Sequence, residues 1–519
     1  MNSTKTARSL RAGASISVLA LAAPLMGVAA SAHAAVTISS AATANMVCSG
    51  GTCAPTAASA VLNVGDLETL LASGNVAVTT TGSGVQAKDI NVKAALAWSS
   101  TGALTLDANR SIAIDQAMSI AGFSGLTLDT SARNGTLSFG KKGHVGFADL
   151  SSALTINGAG YTLVNTIAAL ASAIKTNPTG DYALAAGYDA SADGTYASSP
   201  VSTTFEGAFE GLGNTISHLA IDMTDRQPYV YIGLFANLGT GASIDNLALS
   251  KVNIAGPKGR HGGEIGGLVG QNLGLLFGDS VSGKVLGRKN GSTGGLVGLN
   301  YTGGAIVNCF SSAAVSSDKG GLVGDLVGAS LGTISNSSAT GAVKAGLNNE
   351  AGGLVGENQG TIVASYATGS VTSGYDSWVG GLVAENENSI SQSYATGAVT
   401  GGSESKVGGL VGDNYASTST ISDSYSTGTV TGGGTLGGLI GYDGSTAGNN
   451  VDSYWDTTTS GITNLSQGAG NIANDPGITG LTTAQFQSGL PAGFDPSIWG
   501  ENAGINGGLP YLLANPPPS

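Results

Sequence analysis

Short alternating runs of apolar and polar residues fill the chain from Val36 to Tyr161. Examples are NVAVTTTG, DINVKAALAW, GLTLDTS and ALTINGAGYTL, each bounded by glycine, asparagine or aspartate. A period of two, interrupted by turn residues every ten to twenty residues or so, is typical of short β-strands. Because the strands return at a bounded spacing, the pattern predicts a solenoid of stacked coils.

One segment has a helical period instead. NTIAALASAIK places Ile167, Leu170 and Ile174 on one side of a helix that begins near Thr166. The spacing predicts a short helix over 166–176, packed beside the strands. The strand pattern resumes in GDYALAAGYDAS and STTFEGAFEGLGNTISHLAIDM.

Beyond Ile232 a repeat becomes explicit as Gly-Gly-Leu-Val or a close variant, with steps of 28, 26, 32, 28, 28 and 29 residues. A bounded period fits one supersecondary unit per repeat, with the length variation confined to loops. The copies start at Gly266, Gly294, Gly320, Gly352, Gly380, Gly408 and Gly437.

Composition supports the same fold class. The chain has 84 glycines and 10% charged residues, but 41% of its residues are hydrophobic, which is enough for a packed core. We therefore expect an all-β parallel β-helix (β-solenoid) with a short helical insertion and a C-terminal cap. The expected divisions are a signal peptide (1–34), an N-terminal β-helix segment (35–160), a helix-containing insertion and strand segment (161–230), a repeat β-solenoid (231–460), and a C-terminal cap and tail (461–519).

The N-terminus has the layout of a secretory signal peptide. Lys5, Arg8 and Arg11 precede an apolar run over 16–30, and a small-residue AHA site follows. The apolar run is short for a membrane span. We expect Sec export, cleavage after residue 34 and no transmembrane segment in the mature chain.

Charge argues against nucleic acid as a partner. The net charge is −13, and removal of the three basic residues of the signal peptide takes it to about −16. Such a chain repels phosphate backbones and anionic lipid.

Cysteine and histidine usage gives one structural prediction. Cys48 and Cys53 in CSGGTC are spaced for a disulfide-closed loop in an oxidising compartment. A zinc site would need further ligands near them, and the mature chain has only His144, His218 and His261. We predict no metal site and no cofactor.

The repeat segments TIVASYATG, SISQSYATG and TISDSYSTG contain an aromatic column. Strand alternation places it on the same face as a polar column that includes Ala364, Gln392 and Asp423, so we expect the rings to be exposed and about 4.8 Å apart. Such a stripe could stack on sugars or on a partner protein; the alternative is that it shields the sheet and binds nothing. The predicted stripe contains Phe310, Tyr366, Tyr394, Tyr425 and Tyr454.

The neighbouring column holds serines and Cys309, which we expect to point into the solenoid. The conserved-looking isoleucines of the same segments would also point inward, which requires a bend before the serines. We interpret Cys309 as an inert core thiol, the alternative being a reactive nucleophile.

Glycine pairs and asparagines recur at two further positions. The glycines permit positive φ at a corner and leave no Cβ to obstruct the next coil. Stacked amides can hydrogen-bond between coils, so we predict a structural ladder, with glycan or ion binding as the alternative. Its members are Asn272, Asn300, Asn358, Asn386 and Asn414, with Asp443 in the last copy.

Some carboxylates lie close together in the sequence. Asp222 and Asp225 near Arg226, and the pair Glu385 and Glu387, fit no recognisable catalytic arrangement, and we interpret them as solvated loop charges. We predict no catalytic residue and no enzyme activity.

The repeats resemble the GLUG motif. YTLVNTIAALASAI, GDYALAAGYDAS and FEGAFEGLGNTISHLAI resemble the stretch that precedes GLUG arrays in filamentous-haemagglutinin-like bacterial surface proteins, and the likeness covers about 160–512. GLUG arrays also accompany protease domains in exported peptidases. The NPNG-like motif of the transport domain in such adhesins is not found in this sequence.

The resemblance implies a secreted or cell-surface bacterial protein whose partners are a surface polysaccharide or protein ligand and an outer-membrane secretion partner. Our leading hypothesis is a non-enzymatic adhesin-like rod. The alternatives are a carbohydrate-active β-helix enzyme, either a polysaccharide lyase or a hydrolase, and a structural passenger fragment of a larger exoprotein.

Overall fold

The computed structural model describes residues 34–130, 135–223, 230–257 and 262–517. Apart from its last residue, the predicted signal peptide (1–34) lies outside the described residues, as do Asp225, Arg226 and His261. The described chain is a parallel β-solenoid with a few short helices, so the predicted fold class is confirmed.

Three parallel ladders build the first coils around an apolar core. Two antiparallel hairpins flank them, Met46–Ser49 with Thr52–Pro55 and Thr81–Gly82 with Val85–Gln86. The ladder strands are Ala35–Ser39, Ala60–Asn63, Asp89–Val92, Ile112–Ile114 and Leu137–Phe139 in the first, Val76–Thr79, Leu104–Asp107, Gly125–Asp129 and Ala153–Ile156 in the second, and Leu96–Trp98, Ala117–Ile120 and His144–Phe147 in the third.

Helix α1 (Val64–Ser73) was not predicted from the sequence. The Asn63 side chain accepts hydrogen bonds from two backbone N–H groups of the first turn, and Leu67 and Leu71 are buried one turn apart. An N-cap asparagine followed by leucines four residues apart was the available signal.

Helix α2 (Ile167–Thr176) is the predicted helical insertion. The Thr166 side chain caps it, and Ile167, Leu170 and Ile174 are buried against the main core. The helix is therefore held to the solenoid by one apolar stripe.

Three ladders then run to the end of the repeats, named here by their residues. The isoleucine ladder contains Ala159–Val164, Tyr182–Leu184, Ala208–Glu210, Ser243–Asp245, Leu275–Phe277, Ala305–Val307, Thr333–Ser335, Thr361–Val363, Ser389–Ser391, Thr420–Ser422 and Asn450–Val451. The asparagine ladder contains Phe235–Leu238, Val269–Asn272, Val297–Asn300, Val327–Ser330, Val355–Asn358, Val383–Asn386, Val411–Asn414 and Ile440–Asp443.

The long ladder forms the third side of each coil. Its strands are Tyr188–Asp189, Thr195–Tyr196, Thr215–Ser217, Ala220–Asp222, Tyr231–Ile232, Ala248–Ala255, Glu264–Ile265, Ser280–Leu286, Ser292–Gly294, Phe310–Lys319, Leu322–Gly324, Ser338–Ala339, Val343–Leu347, Glu350–Gly352, Tyr366–Ala367, Val371–Thr372, Trp378–Gly380, Tyr394–Ala395, Val399–Gly408, Tyr425–Ser426, Val430–Gly437, Ser453–Asp456 and Ile478–Leu481.

A left-handed residue makes the corner between the isoleucine ladder and the long ladder. At this position φ lies between 47° and 54° in successive coils, and asparagine and aspartate tolerate that conformation best. The polar column is thus a turn rather than a strand face, and its predicted alternation with the aromatic column is wrong. The residues are Asn308, Asn336, Ala364, Gln392 and Asp423.

This left-handed corner is the bend predicted before the serines, and it directs the serine side chains inward. Ser337, Ser365 and Ser393 are fully buried, and the backbone N–H of each donates to the serine Oγ of the next coil at 3.1 to 3.2 Å. Cys309 occupies the same column as a buried free thiol. Burial raises the pKa of that thiol well above its usual value.

The glycine pairs form the corner between the long ladder and the asparagine ladder. A Cβ on Gly352 would lie 1.9 Å from Val355 O, and one on Gly353 would lie 2.1 Å from Gly381 O in the next coil. Neither glycine has positive φ. These glycines are therefore required for close backbone approach, and the expectation of a left-handed corner there is wrong.

The predicted start of the repeat at Gly320 is wrong by four residues. Gly294 pairs with Gly324, which in turn pairs with Gly352, so the copy assigned to Gly320 begins four residues later. Buried Asp325 takes the place of the second glycine. Gly320 instead has a left-handed φ of 66° at another corner.

The asparagines form a buried ladder of side-chain amides. In the copy that lacks asparagine, Asn300 Nδ2 donates to Ser330 Oγ at 3.1 Å. At the last copy, Asn414 Nδ2 donates to Asp443 Oδ1 at 3.0 Å. Side-chain bonds of 2.8 Å join Asn272 to Asn300, Asn358 to Asn386, and Asn386 to Asn414.

Candidate functional site

The predicted aromatic stripe exists as a stack of rings. The centroids of Tyr366 and Tyr394 are 4.8 Å apart, and those of Tyr394 and Tyr425 are 5.1 Å apart, with the rings nearly parallel. The prediction that the stripe is exposed is wrong, because these three rings are at most 1% exposed and Tyr454 is 6% exposed. Phe310, in an earlier coil of the same column, is half-buried.

A C-terminal segment, residues 482–513, covers the stack. It contains helix α3 (Thr483–Phe486) and an antiparallel pair, Trp499–Gly500 with Tyr511–Leu512. Tyr425 Oη donates to Pro510 O at 2.6 Å. The stripe is therefore an internal interface, and its covering residues are Phe486, Phe494, Trp499 and Leu512.

Cys48 and Cys53 face each other across the hairpin of the first coils and form a disulfide. Cys53 is buried, whereas the hairpin tip is exposed. The bridge closes the CSGGTC loop.

Four glutamates meet at the glycine corner of the solenoid, and we call them the acidic corner: Glu350, Glu357, Glu385 and Glu387. Glu350 begins the long-ladder strand Glu350–Gly352 that leads into the corner, and Glu357 follows the corner in the same coil. Glu385 lies beside Glu357 in the next coil of the asparagine ladder. The tight glycine turn brings the two ladders together, so residues on both sides of it share one outer corner.

The carboxylates of the acidic corner are close and shielded from water. One oxygen from each of Glu357, Glu385 and Glu387 lies within 4.8 Å of the others. Glu385 is 5% exposed, while Glu357 and Glu387 are half-buried. The carboxyl groups of Glu385 and Glu350 also face each other within hydrogen-bonding reach. Two carboxyl groups in that contact require a proton or a cation between them.

Burial and mutual repulsion keep these groups protonated above the ordinary carboxyl range. Burial raises the pKa of Glu385 to about 8, and the neighbouring charges of Glu357 and Glu387 add to this. Burial, then the charge of Glu387, raises the pKa of Glu357 to about 7. Burial also raises the pKa of Glu350 well above its usual value.

An aromatic group borders the acidic corner, and we call Trp378, Tyr415 and Tyr442 the aromatic rim. Trp378 pairs with Glu350 in register, and its ring stacks near Tyr415 with centroids 6.5 Å apart. Tyr415 is 58% exposed and Tyr442 is 40% exposed.

A buried ion pair joins the acidic corner to the aromatic rim. Lys406 Nζ contacts Asp413 Oδ2, and Asp413 is fully buried beside Glu385 in the asparagine ladder. The Lys406 ammonium also lies 4.1 Å from the ring centroid of Tyr442 and 5.1 Å from that of Trp378. The Lys406 ammonium therefore interacts with Asp413 and with the two aromatic rings.

The prediction that Glu385 and Glu387 are solvated loop charges is wrong, because Glu385 is 5% exposed and Glu387 is half-buried. Glu350, Glu357 and the aromatic rim were not predicted from the sequence. The sequence does contain a pattern that indicates this site. In three consecutive repeats, the residue before the ladder asparagine is acidic, in the segments GEN, AEN and GDN. Together the groups can accept hydrogen bonds from hydroxyls, stack on sugar rings, bind a cation or exchange a proton.

The folded protein is expected to lose stability as the pH rises from about 5 to about 9. Unfolded glutamate titrates near pH 4.3, whereas folded Glu385 and Glu357 titrate at about 8 and about 7. At pH values below the unfolded pKa, the contribution of these two glutamates to stability is fully present. It is lost as the pH rises through the folded pKa, because between the two pKa values the folded state binds more protons than the unfolded state. Thermal melts in metal-free buffer across this range measure the effect.

Two variants check the source of that slope. Glu385→Gln removes a titrating proton and should make the fall in Tm shallower, whereas Glu501→Gln in the exposed C-terminal segment should not. A wild-type Tm that rises between pH 5 and 9 would contradict the prediction.

No helix among the described residues combines the length and apolarity needed to cross a bilayer.

Comparison with known proteins supports the repeat assignment. The family model of the GLUG motif matches residues 403–431. A stretch of 113 residues, 22% of this chain, is 31% identical to halomucin from Haloquadratum walsbyi, and the chain spans 1% of that protein's length. A Bacteroides ovatus structure named "putative immunoglobulin A1 protease" aligns over 68% of this chain and 93% of its own, at a TM-score of 0.37 and 18% identity. The chain carries the GLUG motif on a β-solenoid.

Proposed function

We propose that this GLUG-motif β-solenoid is an exported, non-enzymatic, adhesin-like rod that attaches to a surface polymer, with polysaccharide as the favoured ligand class. The observation that carries the proposal is the coil register, which sets Trp378 beside Glu350 and places exposed Tyr442 in line with Glu385 and Asp413. Exposed aromatic rings therefore lie beside the acidic corner, where half-buried Glu357 and Glu387 reach the outside of the solenoid.

This pairing of groups suits sugars. The rim rings offer large apolar faces at low entropic cost, and the carboxylates accept hydrogen bonds from hydroxyl groups. Tyr415 and Tyr442 are already exposed, so a chain lying across the coils reaches them without opening the fold. A polymer offers many copies of the same contact, which compensates for weak single sites.

Two features support export. Residues 1–34 have the signal-peptide pattern, and the Cys48–Cys53 disulfide suits an oxidising compartment. The resemblance to filamentous-haemagglutinin-like proteins fits a secreted or cell-surface location in a bacterium, reached with an outer-membrane secretion partner.

Retention on insoluble polysaccharides tests the attachment. The mature chain, residues 35–519, is incubated with a panel of polymers, and the bound fraction is measured over a range of polymer concentrations. Trp378→Ala is expected to weaken binding at least about tenfold, which corresponds to about 1.4 kcal/mol, a modest part of what a stacked indole contributes.

Tyr231→Ala is the matched control. Tyr231 belongs to the same register column of the long ladder as Trp378, several coils earlier, and is partly exposed there. The control should bind as wild type does. Equal retention of Trp378→Ala and wild type, or no retention on any polymer, would reject this assignment of the binding face.

The second candidate function is a carbohydrate-active enzyme, and the spacing of the acidic corner favours it. Glycoside hydrolysis uses one protonated and one ionised carboxyl group, and the raised pKa values of Glu385 and Glu357 suit such a pair. The same incubation is therefore scored for new reducing ends. Cleavage that Glu385→Gln abolishes would replace the adhesin proposal with the enzyme.

A further inference from the structure

The oxygen spacing at the acidic corner matches the reach of one cation. Calcium takes six to eight oxygen ligands at about 2.3–2.6 Å, so two oxygens on the same ion lie up to about 5 Å apart. The oxygens of Glu357, Glu385 and Glu387 lie within 4.8 Å of one another. They can therefore share a single ion without a change in backbone.

A second observation is independent of that spacing. Glu350 Oε2 exposes less than 1 Å² to solvent, and no N–H or O–H group among the described residues donates to it. The Glu350 carboxyl is held against Glu385, which is itself 5% exposed. A buried carboxylate oxygen without a donor is costly, and proteins usually satisfy it with an N–H, an O–H or a cation.

Among the described residues, no ion pair joins a glutamate of the acidic corner to a lysine or arginine. Lys406, which lies in the same ladder one coil beyond Trp378, contacts Asp413 and the rim rings instead. Its charge offsets Asp413 rather than the four glutamates of the acidic corner. The local charge thus favours an added cation.

We infer that the acidic corner binds a divalent cation, with calcium as the preferred ion, through the carboxylates of Glu357, Glu385 and Glu387 with Glu350 beside them. All the protein donors are hard carboxylate oxygens, which suit calcium better than zinc, for which nitrogen and sulfur donors are usual. Magnesium demands shorter bonds of about 2.1 Å and near-ideal octahedral geometry, and oxygens on one such ion lie at most about 4.2 Å apart. Water completes the shell from the half-buried side.

The ion would tie neighbouring coils together. Glu350 and Glu357 belong to one coil, and Glu385 and Glu387 to the next. Calcium therefore bridges coils at the corner where four carboxylates otherwise repel each other. This inference goes beyond the proposed attachment and does not rest on it.

Calorimetric titration of the chelator-treated full chain with CaCl₂ tests the site near pH 8. A second readout is terbium luminescence, because Tb³⁺ replaces calcium and Trp378, next to Glu350 in register, can sensitise it. Calcium is expected to bind, to displace terbium and to raise the Tm, and magnesium to do so less strongly.

Glu385→Gln and Glu387→Gln are each expected to weaken calcium binding at least about tenfold, since loss of even an outer partner of a metal ligand costs about 10- to 100-fold. Glu387 is half-buried, so its variant keeps the test valid if Glu385→Gln fails to fold. Glu501→Gln, which removes one exposed acid far along the chain, should bind as wild type.

Absence of calcium heat and of terbium luminescence in wild type would overturn the site. Wild-type affinity in both glutamine variants would overturn it as well. No polymer is present in these measurements, so failure here is distinguishable from failure of the proposed attachment.

Discussion

Gly380→Ala is expected to destabilise the solenoid by about 3 kcal/mol or more. The new Cβ would lie 1.9 Å from Val383 O and 2.9 Å from Gly412 N in the next coil. Both contacts are with backbone, and the neighbouring coils are hydrogen-bonded on either side, so relief requires a shift of several strands at once. Overpacking of this kind exceeds the usual range for added methyl groups.

Urea unfolding followed by circular dichroism measures the loss as a lower midpoint. Gly160→Ala is the control, because no atom lies within 4 Å of the added Cβ and its φ is not left-handed. It should be neutral or stabilise by up to about 1 kcal/mol through the unfolded chain. Equal midpoints for Gly380→Ala and wild type would show that the glycine corner does not need close backbone contact.

Trp499→Ala is expected to free the C-terminal segment from the tyrosine stack. Trp499 is 1% exposed, and its ring centroid lies 4.5 Å from that of Phe494, 6.0 Å from Tyr394 and 5.9 Å from Tyr425. Its indole N–H has no hydrogen-bond partner, so the loss is one of packing. Removing a buried tryptophan costs about 3–5 kcal/mol.

The substitution should lower the free energy of local opening of residues 482–513 rather than that of global unfolding. The coils beneath the segment retain their own ladders. Cleavage within the segment during limited proteolysis should become at least about 100-fold faster, since each factor of ten corresponds to about 1.4 kcal/mol. Deuterium uptake should rise in the same residues.

Tyr394→Phe provides the matched control. The Tyr394 hydroxyl is buried without a hydrogen-bond partner, so its removal should leave the segment closed. Tyr425→Phe removes a hydroxyl that donates to Pro510 O and accepts from Asn506, and should open the segment moderately. Unchanged proteolysis of Trp499→Ala would contradict the view that these rings hold the segment in place.

Local patterns were enough to predict the strands, their repeat and the inward serines. Ile362 and Ser365 are buried as predicted, with the bend between them at Ala364. Helix α2 follows equally from its own spacing. Each of these depends on residues within one coil, where alternation and capping act over a few positions.

The alignment of neighbouring coils depends on more than the Gly-Gly-Leu-Val motif. The Gly-Gly-Leu-Val at Gly320 matches the pattern, but the coils align Gly324 with its neighbours and place Asp325 in the second glycine position. Hydrogen bonding of whole ladders decides the alignment, and a short motif contributes only part of that energy.

The sequence by itself thus determined the β-solenoid, its period and the side chains that fill each coil, because strand alternation and turn residues act locally. Only the tertiary structure decided which outer faces remain exposed. Residues 482–513 return to cover Tyr394 and Tyr425, a contact between segments far apart in the chain. Likewise, Glu350 and Glu385 meet only because a glycine corner folds two ladders together, and their burial and raised pKa values exist only in that packed arrangement.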